Sequence, residues 1–132
     1  VLINRFKSHG NAVLIGSMSF WAGIDVRGSS LSLVIIDKLP FQSPGDPVFE
    51  SKINRLKDLG QNPFMTFQLP QAIISLKQGA GRLIRDEVDK GVLMICDPRI
   101  IDKPYGKRIW KSLPAFKRTR QEIDVMNFLK SL

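Results

Sequence analysis

The chain reads as an α/β protein: a parallel sheet flanked by helices, with a further helix at the C-terminal end. Three observations predict this. Short runs rich in Val, Ile and Leu, with polar residues only at their ends, occur at "NAVLIGS" (11–17), "LSLVIIDK" (31–38) and "GVLMICD" (91–97), the pattern of parallel strands buried on both faces. Segments with helical apolar spacing and end-capping residues lie between and after these runs. Strands that alternate with helices imply crossover connections and hence parallel pairing.

Each element has its own signal. After the first run, "GSMSFWAGIDVRG" (16–28) reads as a glycine-rich turn holding Phe20, Trp21 and Asp25. In open α/β sheets ligands bind beyond the carboxyl ends of the strands. The alternative is that Phe20 and Trp21 are core and that Asp25 caps or turns the chain. In "SPGDPVFESKINRLKDLG" (43–60) Asp46 is an N-cap, Pro47 takes the first helical position, Phe49, Ile53 and Leu56 form the apolar stripe, and Gly60 stops the helix.

A second helix is expected from about Leu69 to Arg85. Leu69, Ile73, Leu76, Ala80 and Leu83 make one stripe toward the sheet, and Gln71, Ser75, Gln78, Arg82 and Arg85 fall on the opposite side. Gly79 and Gly81 flank that polar side, although each interior glycine costs about 1 kcal/mol relative to alanine. Their bare backbone would let a ligand or another chain segment come close. An ordinary solvated face with two tolerated glycines is the competing reading. A third helix is expected around 105–112 and a last one from about 120 to the end, with Thr119 and Glu122 spaced as a capping box. Val125, Phe128, Leu129 and Leu132 share one face of that last helix, with Met126 at its edge. The face either docks on its own domain or meets a partner.

Composition bounds the function classes. The 132 residues suffice for one core, and 43% are hydrophobic. Mean hydropathy is −0.04, and no run approaches the roughly 20 apolar residues of a membrane span. The start, "VLINRFKSHGN", has neither the apolar core nor the cleavage site of a secretory signal. Beginning without Met just before an apolar run, the chain is expected to be a piece of a longer one. The lone Cys96 supplies neither an internal disulfide nor a metal site, so no metal centre and a reducing, cytoplasmic setting are expected. Of the net charge of +8, most lies between Arg99 and Arg120, where eight basic residues face the single acid Asp102. Such a block is either a footprint for a phosphate backbone or a solvated basic surface.

Two of these stretches carry a family resemblance. "GSMSFWAGIDVRG" resembles motif V, and "QGAGRLIR" (78–85) motif VI, of the superfamily-two DNA helicases of the DinG and XPD group, within its bacterial DinG and YoaA branch. The intervening "DKLPFQSPGDPVFESK" and "NPFMTFQLPQAIISLKQGAGRLIR", and "DPRI" (97–100), are similar to that branch as well, so the likeness covers roughly residues 11–114.

The resemblance implies part of a RecA-like second motor domain over residues 1–114, followed by a basic segment and amphipathic helix over 115–132. It implies that Gln78 senses the terminal phosphate of ATP and that Arg82 and Arg85 are an arginine-finger pair. Planar, permanently charged guanidinium suits that task. Gly23 and Asp25 would serve the nucleotide from motif V, and Ser17, Ser19 and Arg27 would meet DNA. ATP and Mg²⁺ would be shared with a missing N-terminal helicase domain, the first motor domain, and an iron-sulfur cluster would sit outside this chain. The implied partners are single-stranded DNA, tracked 5′ to 3′ in DNA repair near the bacterial nucleoid, and the χ subunit of DNA polymerase III, reached through the C-terminal region.

The chain departs from the family pattern at Ala22, where many members have Glu, and at Arg27, where many have Pro. It also contains no GxxxxGK[ST] loop, so the isolated chain is expected not to hydrolyse ATP. Two other readings stand beside the motor half: a stand-alone basic nucleic-acid-binding module resting on residues 99–120, and a protein-docking domain acting through residues 121–132.

Overall fold

The computed structural model describes residues 1–23, 25, 26 and 28–132. Arg27 therefore lies outside the described residues, as do the side chains of Trp21 and Ala22. In chain order the elements are α1 (Leu2–His9), α2 (Met18–Gly23), β1 (Leu33–Ile36), α3 (Pro47–Asp58), α4 (Leu69–Leu83), β2 (Val92–Ile95), α5 (Arg99–Asp102), α6 (Gly106–Ser112) and α7 (Glu122–Lys130). β1 and β2 pair in parallel, with Val34 opposite Leu93 and Ile36 opposite Ile95. Among the described residues this is a two-stranded sheet. The predicted α/β class with a parallel sheet and flanking helices is what the chain adopts.

The core lies on one face of that sheet. Ile36, Leu39, Leu69, Ile73, Leu76 and Ile109 form a single buried cluster, extended by Val34, Leu93, Ile95, Phe41, Phe64 and Tyr105. In a strand alternate side chains share a face, so Val34 and Ile36 turn toward α4 while Ile35 is left 56% exposed. The expectation of strands buried on both faces thus holds for one face. The run at 11–17 departs further: it forms no strand, and Val13 and Ile15 are 87% and 90% exposed. An apolar run becomes a strand only where a neighbour supplies the ladder, and β1 and β2 pair with each other.

Helix signals are followed closely. Asp46 caps α3, its carboxylate accepting from the Val48 N–H at 2.9 Å, Pro47 opens the helix, and Gly60 leaves it at φ 74°. α4 is preceded by a π-helical turn over Phe64–Gln68. Pro70 has no N–H to complete a regular turn, and the wider turn carries the chain into α4 with Leu69 N–H bonded to the Phe64 carbonyl. α4 ends at Leu83, two residues before the expected end, because Ile84 is extended. The stretch expected as a glycine-rich turn contains α2. It has no helix breaker before Gly23, and Phe20 N–H bonds the Ser17 carbonyl at 2.9 Å. The expected capping box does not form. α7 starts after Gln121, so Thr119 lies two residues before the capping position; its hydroxyl accepts from Gln121 N–H and donates to Asp124.

One buried carboxylate ties the strand ends together. Asp97, just beyond β2, is 4% exposed. Its Oδ2 accepts from Leu39 N–H, beyond β1, at 2.8 Å. Its two oxygens also take the Arg99 guanidinium at 2.6 to 3.0 Å and the Arg99 main-chain N–H at 3.0 Å. Arg99 in turn lies over Phe41, its guanidinium carbon 5.2 Å from the ring centre. Gly106, at the start of α6, sits so close to α5 that a Cβ there would come within 2.0 Å of the Ile100 carbonyl oxygen, which keeps the two helices in contact.

The Arg99 hydrogen bonds outweigh burial and hold the Asp97 carboxyl well below the usual carboxylate range. A depressed folded-state pKa gives stability that is complete above the unfolded value of about 3.9 and is lost as pH falls toward the folded one. Melting temperature should therefore decline below about pH 4 through this group, and Asp97→Asn should remove that part of the acid slope. The same substitution should cost about 2 kcal/mol in denaturant unfolding at neutral pH.

Candidate functional site

The site is built where α4 meets α2. Burial of Leu69, Ala72, Ile73, Leu76, Gly79, Ala80 and Leu83 fixes the rotation of α4 about its axis. The polar side consequently points outward: Gln78 is exposed, and Arg82 and Arg85 are partly exposed. Gln78, Gly81, Arg82, Ile84 and Arg85 line one shallow depression. A Cβ on Gly81 would meet nothing within 4 Å, so no close approach requires a glycine there, whereas Gly79 is buried beside Ala80.

Arg85 does not leave the helix face, as the spacing had placed it. It follows the extended Ile84, and its main chain is held by Asp89, whose Oδ2 accepts the N–H groups of Arg85 and Asp86 at 2.9 and 3.1 Å. Asp89 was not anticipated as a site residue. The signal available in the sequence was an Asp in a short polar loop, a residue type that bonds nearby main-chain N–H groups.

From that loop the Arg85 side chain crosses to the segment after α2. Its Nη1 donates to Asp25 Oδ1 at 2.6 Å, joining residues 60 positions apart. Asp25 follows α2 and precedes Val26, which is 1% exposed and anchors the segment in the interior. The Asp25 side chain is 57% exposed and that of Arg85 24%, so the pair contributes at most about 1 kcal/mol to stability. The Nη2 of Arg85 is covered, and among the described residues it has no hydrogen-bond partner.

The structure thus brings Gln78, Arg82, Arg85 and Asp25 to one place. Gly23 is exposed at the end of α2. Ser17 and Ser19 are exposed at its start, and their hydroxyls bond each other at 2.8 Å. The guanidinium groups of Arg82 and Arg85 and the amide N–H of Gln78 suit phosphate oxygens; the guanidinium groups, which only donate, do not suit Mg²⁺, which takes oxygen ligands.

The basic block between Arg99 and Arg120 is not one uniform surface. Arg99 is engaged by buried Asp97, and Arg118 stacks on Trp110, its guanidinium carbon 3.6 Å from the ring centre. Lys103, Lys107, Arg108, Lys111, Lys117 and Arg120 are exposed. In α7 no residue is fully buried, and its apolar face is partly covered. Val125 and Leu129 are half-buried, while Phe128 and Leu132 are 40% and 52% exposed. Among the described residues no group of three or more His, Cys, Asp or Glu is placed to hold a metal ion, and no helix is long and apolar enough to cross a membrane.

Comparison with known proteins bears on the same residues. A family model described as the helicase C-terminal domain matches residues 1–116. The chain is 52% identical over 128 residues to the ATP-dependent DNA helicase YoaA of Escherichia coli K12, covering 97% of this chain and 20% of that protein. It is 41% identical over 114 residues to the protein named 3′-5′ exonuclease DinG of Bacillus subtilis 168, covering 86% of this chain and 12% of that protein. It is 38% identical over 131 residues to the ATP-dependent helicase DinG of Mycobacterium tuberculosis H37Rv, covering 99% of this chain and 20% of that protein. The chain spans a fifth or less of the length of these relatives. With Arg85, beyond α4, paired to Asp25, beyond α2, and with the family match running through both segments, this chain belongs to the helicase C-terminal domain family of the DinG and YoaA helicases.

Proposed function

We propose that this domain is the second motor domain of an ATP-dependent DNA helicase and that it supplies the arginine fingers for ATP hydrolysis. The observation that carries the reading is that Gln78, Arg82 and Arg85 line one open depression, with Arg85 held there by Asp25. In this reading Arg82 and Arg85 neutralise the charge that develops on the transferred phosphoryl group, and Gln78 senses the terminal phosphate. Such a finger is worth about three to five orders of magnitude in rate. Gly23 and Asp25 belong to the nucleotide side of motif V, and Ser17, Ser19 and Arg27 to the DNA side.

ATP and Mg²⁺ are held mainly by a first motor domain, as is any iron-sulfur cluster, because this chain has no phosphate-cradling loop and one cysteine. The substrate is single-stranded DNA, followed 5′ to 3′ in repair, in the bacterial cytoplasm at the nucleoid. Residues 1–114 form the motor part and 115–132 a basic segment with an amphipathic helix.

A second, compatible reading is protein docking. It is favoured by the exposure of Ile123, Met126 and Phe128 on a helix with no buried residue, and of Leu132 just beyond it. Apolar helix faces of this kind fill grooves on partners, and the χ subunit of DNA polymerase III is the partner we assign. A stand-alone nucleic-acid module is the remaining alternative. It rests on the exposed lysines and arginines of residues 103–120 and requires salt-dependent DNA affinity in the domain by itself.

In the full-length protein, Arg85→Ala should lower DNA-stimulated ATP turnover by about a thousandfold or more with ATP binding largely kept, while the isolated domain shows no turnover; a variant hydrolysing at the parent rate removes the finger assignment. Replacing Phe128 and Leu129 together by Asp should abolish χ binding in a pull-down, and retained binding by the folded variant moves the contact elsewhere.

A further inference from the structure

We infer that Asp25 is a positioning residue for Arg85: its carboxylate holds the guanidinium at the depression lined by Gln78 and Arg82, in the orientation from which it meets a terminal phosphate. The inference rests on the finger assignment proposed above and adds a residue and a role to it.

Three observations lead there. Arg85 departs from an extended segment beyond α4, where no helical turn limits its rotamers, and a long side chain in that position loses much conformational freedom on being held in one place. The Asp89 carboxylate fixes the main chain of Arg85 but leaves the guanidinium to be fixed by another group. Asp25 Oδ1, at 2.6 Å from Nη1, does so from the neighbouring motif, on a segment anchored by buried Val26.

The chemistry of the pair fits orientation better than stabilisation. An ion pair whose carboxylate is more than half exposed adds little to folding. Guanidinium presents its donors as a rigid fork, so a carboxylate on one prong sets the direction of the other. Here one prong is tied to Asp25, and the other, Nη2, has no partner among the described residues although it is covered. A covered donor left unpaired is costly, and a phosphate oxygen reached by a small shift of the tied guanidinium would satisfy it. Asp25 thereby works through Arg85 and need not touch the nucleotide.

The test is a kinetic cycle in the full-length protein, with ATP turnover on single-stranded DNA measured for Asp25→Asn, Asp25→Glu, Arg85→Ala and the Asp25→Asn, Arg85→Ala double variant. Positioning predicts that Asp25→Asn lowers kcat about tenfold or more with KM for ATP within about twofold. It also predicts that Asp25→Glu, which keeps the charge, recovers part of the loss. The double variant should be no slower than Arg85→Ala alone to within about twofold, since removing the finger leaves nothing to orient.

Parent-like kcat in Asp25→Asn beside a slow Arg85→Ala overturns the positioning role and leaves the finger intact. Losses that multiply in the double variant, or equal losses for Asn and Glu at position 25, overturn it as well. An Arg85→Ala variant at the parent rate overturns the finger itself. Should Asp25→Asn fail to fold, the comparison of Asp25→Glu with its own Arg85→Ala double variant decides the same point: additive losses refute the proposal and non-additive ones support it.

Discussion

The burial of one stripe of α4 against one face of a two-stranded parallel sheet is the constraint on which the rest of the molecule depends. Leu69, Ala72, Leu76 and Ala80 are fully buried, and each such leucine contributes about 1.5 to 3 kcal/mol relative to exposure. Once that stripe is set, a rotation of about 100° per residue leaves Gln78 and Arg82 no direction but outward. The small residues Ala72, Gly79 and Ala80 lie on the buried side, and α2 is among the elements that contact α4. A stability requirement of the core thus doubles as the device that presents the polar side chains.

Three aspartates show how the same carboxylate does different work at different depth. Asp97 is buried and links the segments beyond both strands through Leu39 and Arg99; removed from water, its hydrogen bonds are strong and its loss leaves buried donors unpaired. Asp89 binds two main-chain N–H groups and shapes the loop after α4. Asp25 is exposed and reaches a side chain 60 positions away. Solvent screens that last pair, so its consequence is geometric more than energetic.

The outward surfaces are divided in character. The sheet face opposite α4 shows Ile35, the segment at 11–17 shows Val13 and Ile15, α7 shows Ile123 and Phe128, and Leu132 is exposed just beyond it. The lysines and arginines of residues 103–120 are exposed; among them Arg118 stacks on Trp110, and Arg99, just before them, is held by its ion pair with Asp97. Apolar and cationic surfaces of this extent are the ones by which domains meet other domains, proteins and phosphate backbones.

Local chemistry alone determined α3, whose cap, opening proline and stop glycine all act within a turn of the helix. It also determined the apolar stripe of α4, because 3.6-residue spacing is written in the order of the side chains. The runs that became β1 and β2 were legible for the same reason. Tertiary structure decided what local order does not encode. The run at 11–17 has the composition of a strand and stays unpaired, since a ladder needs a partner; α2 forms where glycines suggested a turn; and Arg85 lies past the helix end, in a loop shaped by Asp89. Above all, the Asp25 and Arg85 contact spans 60 positions, and no periodicity or spacing predicts a bond that only the packing of α2 on α4 brings within reach.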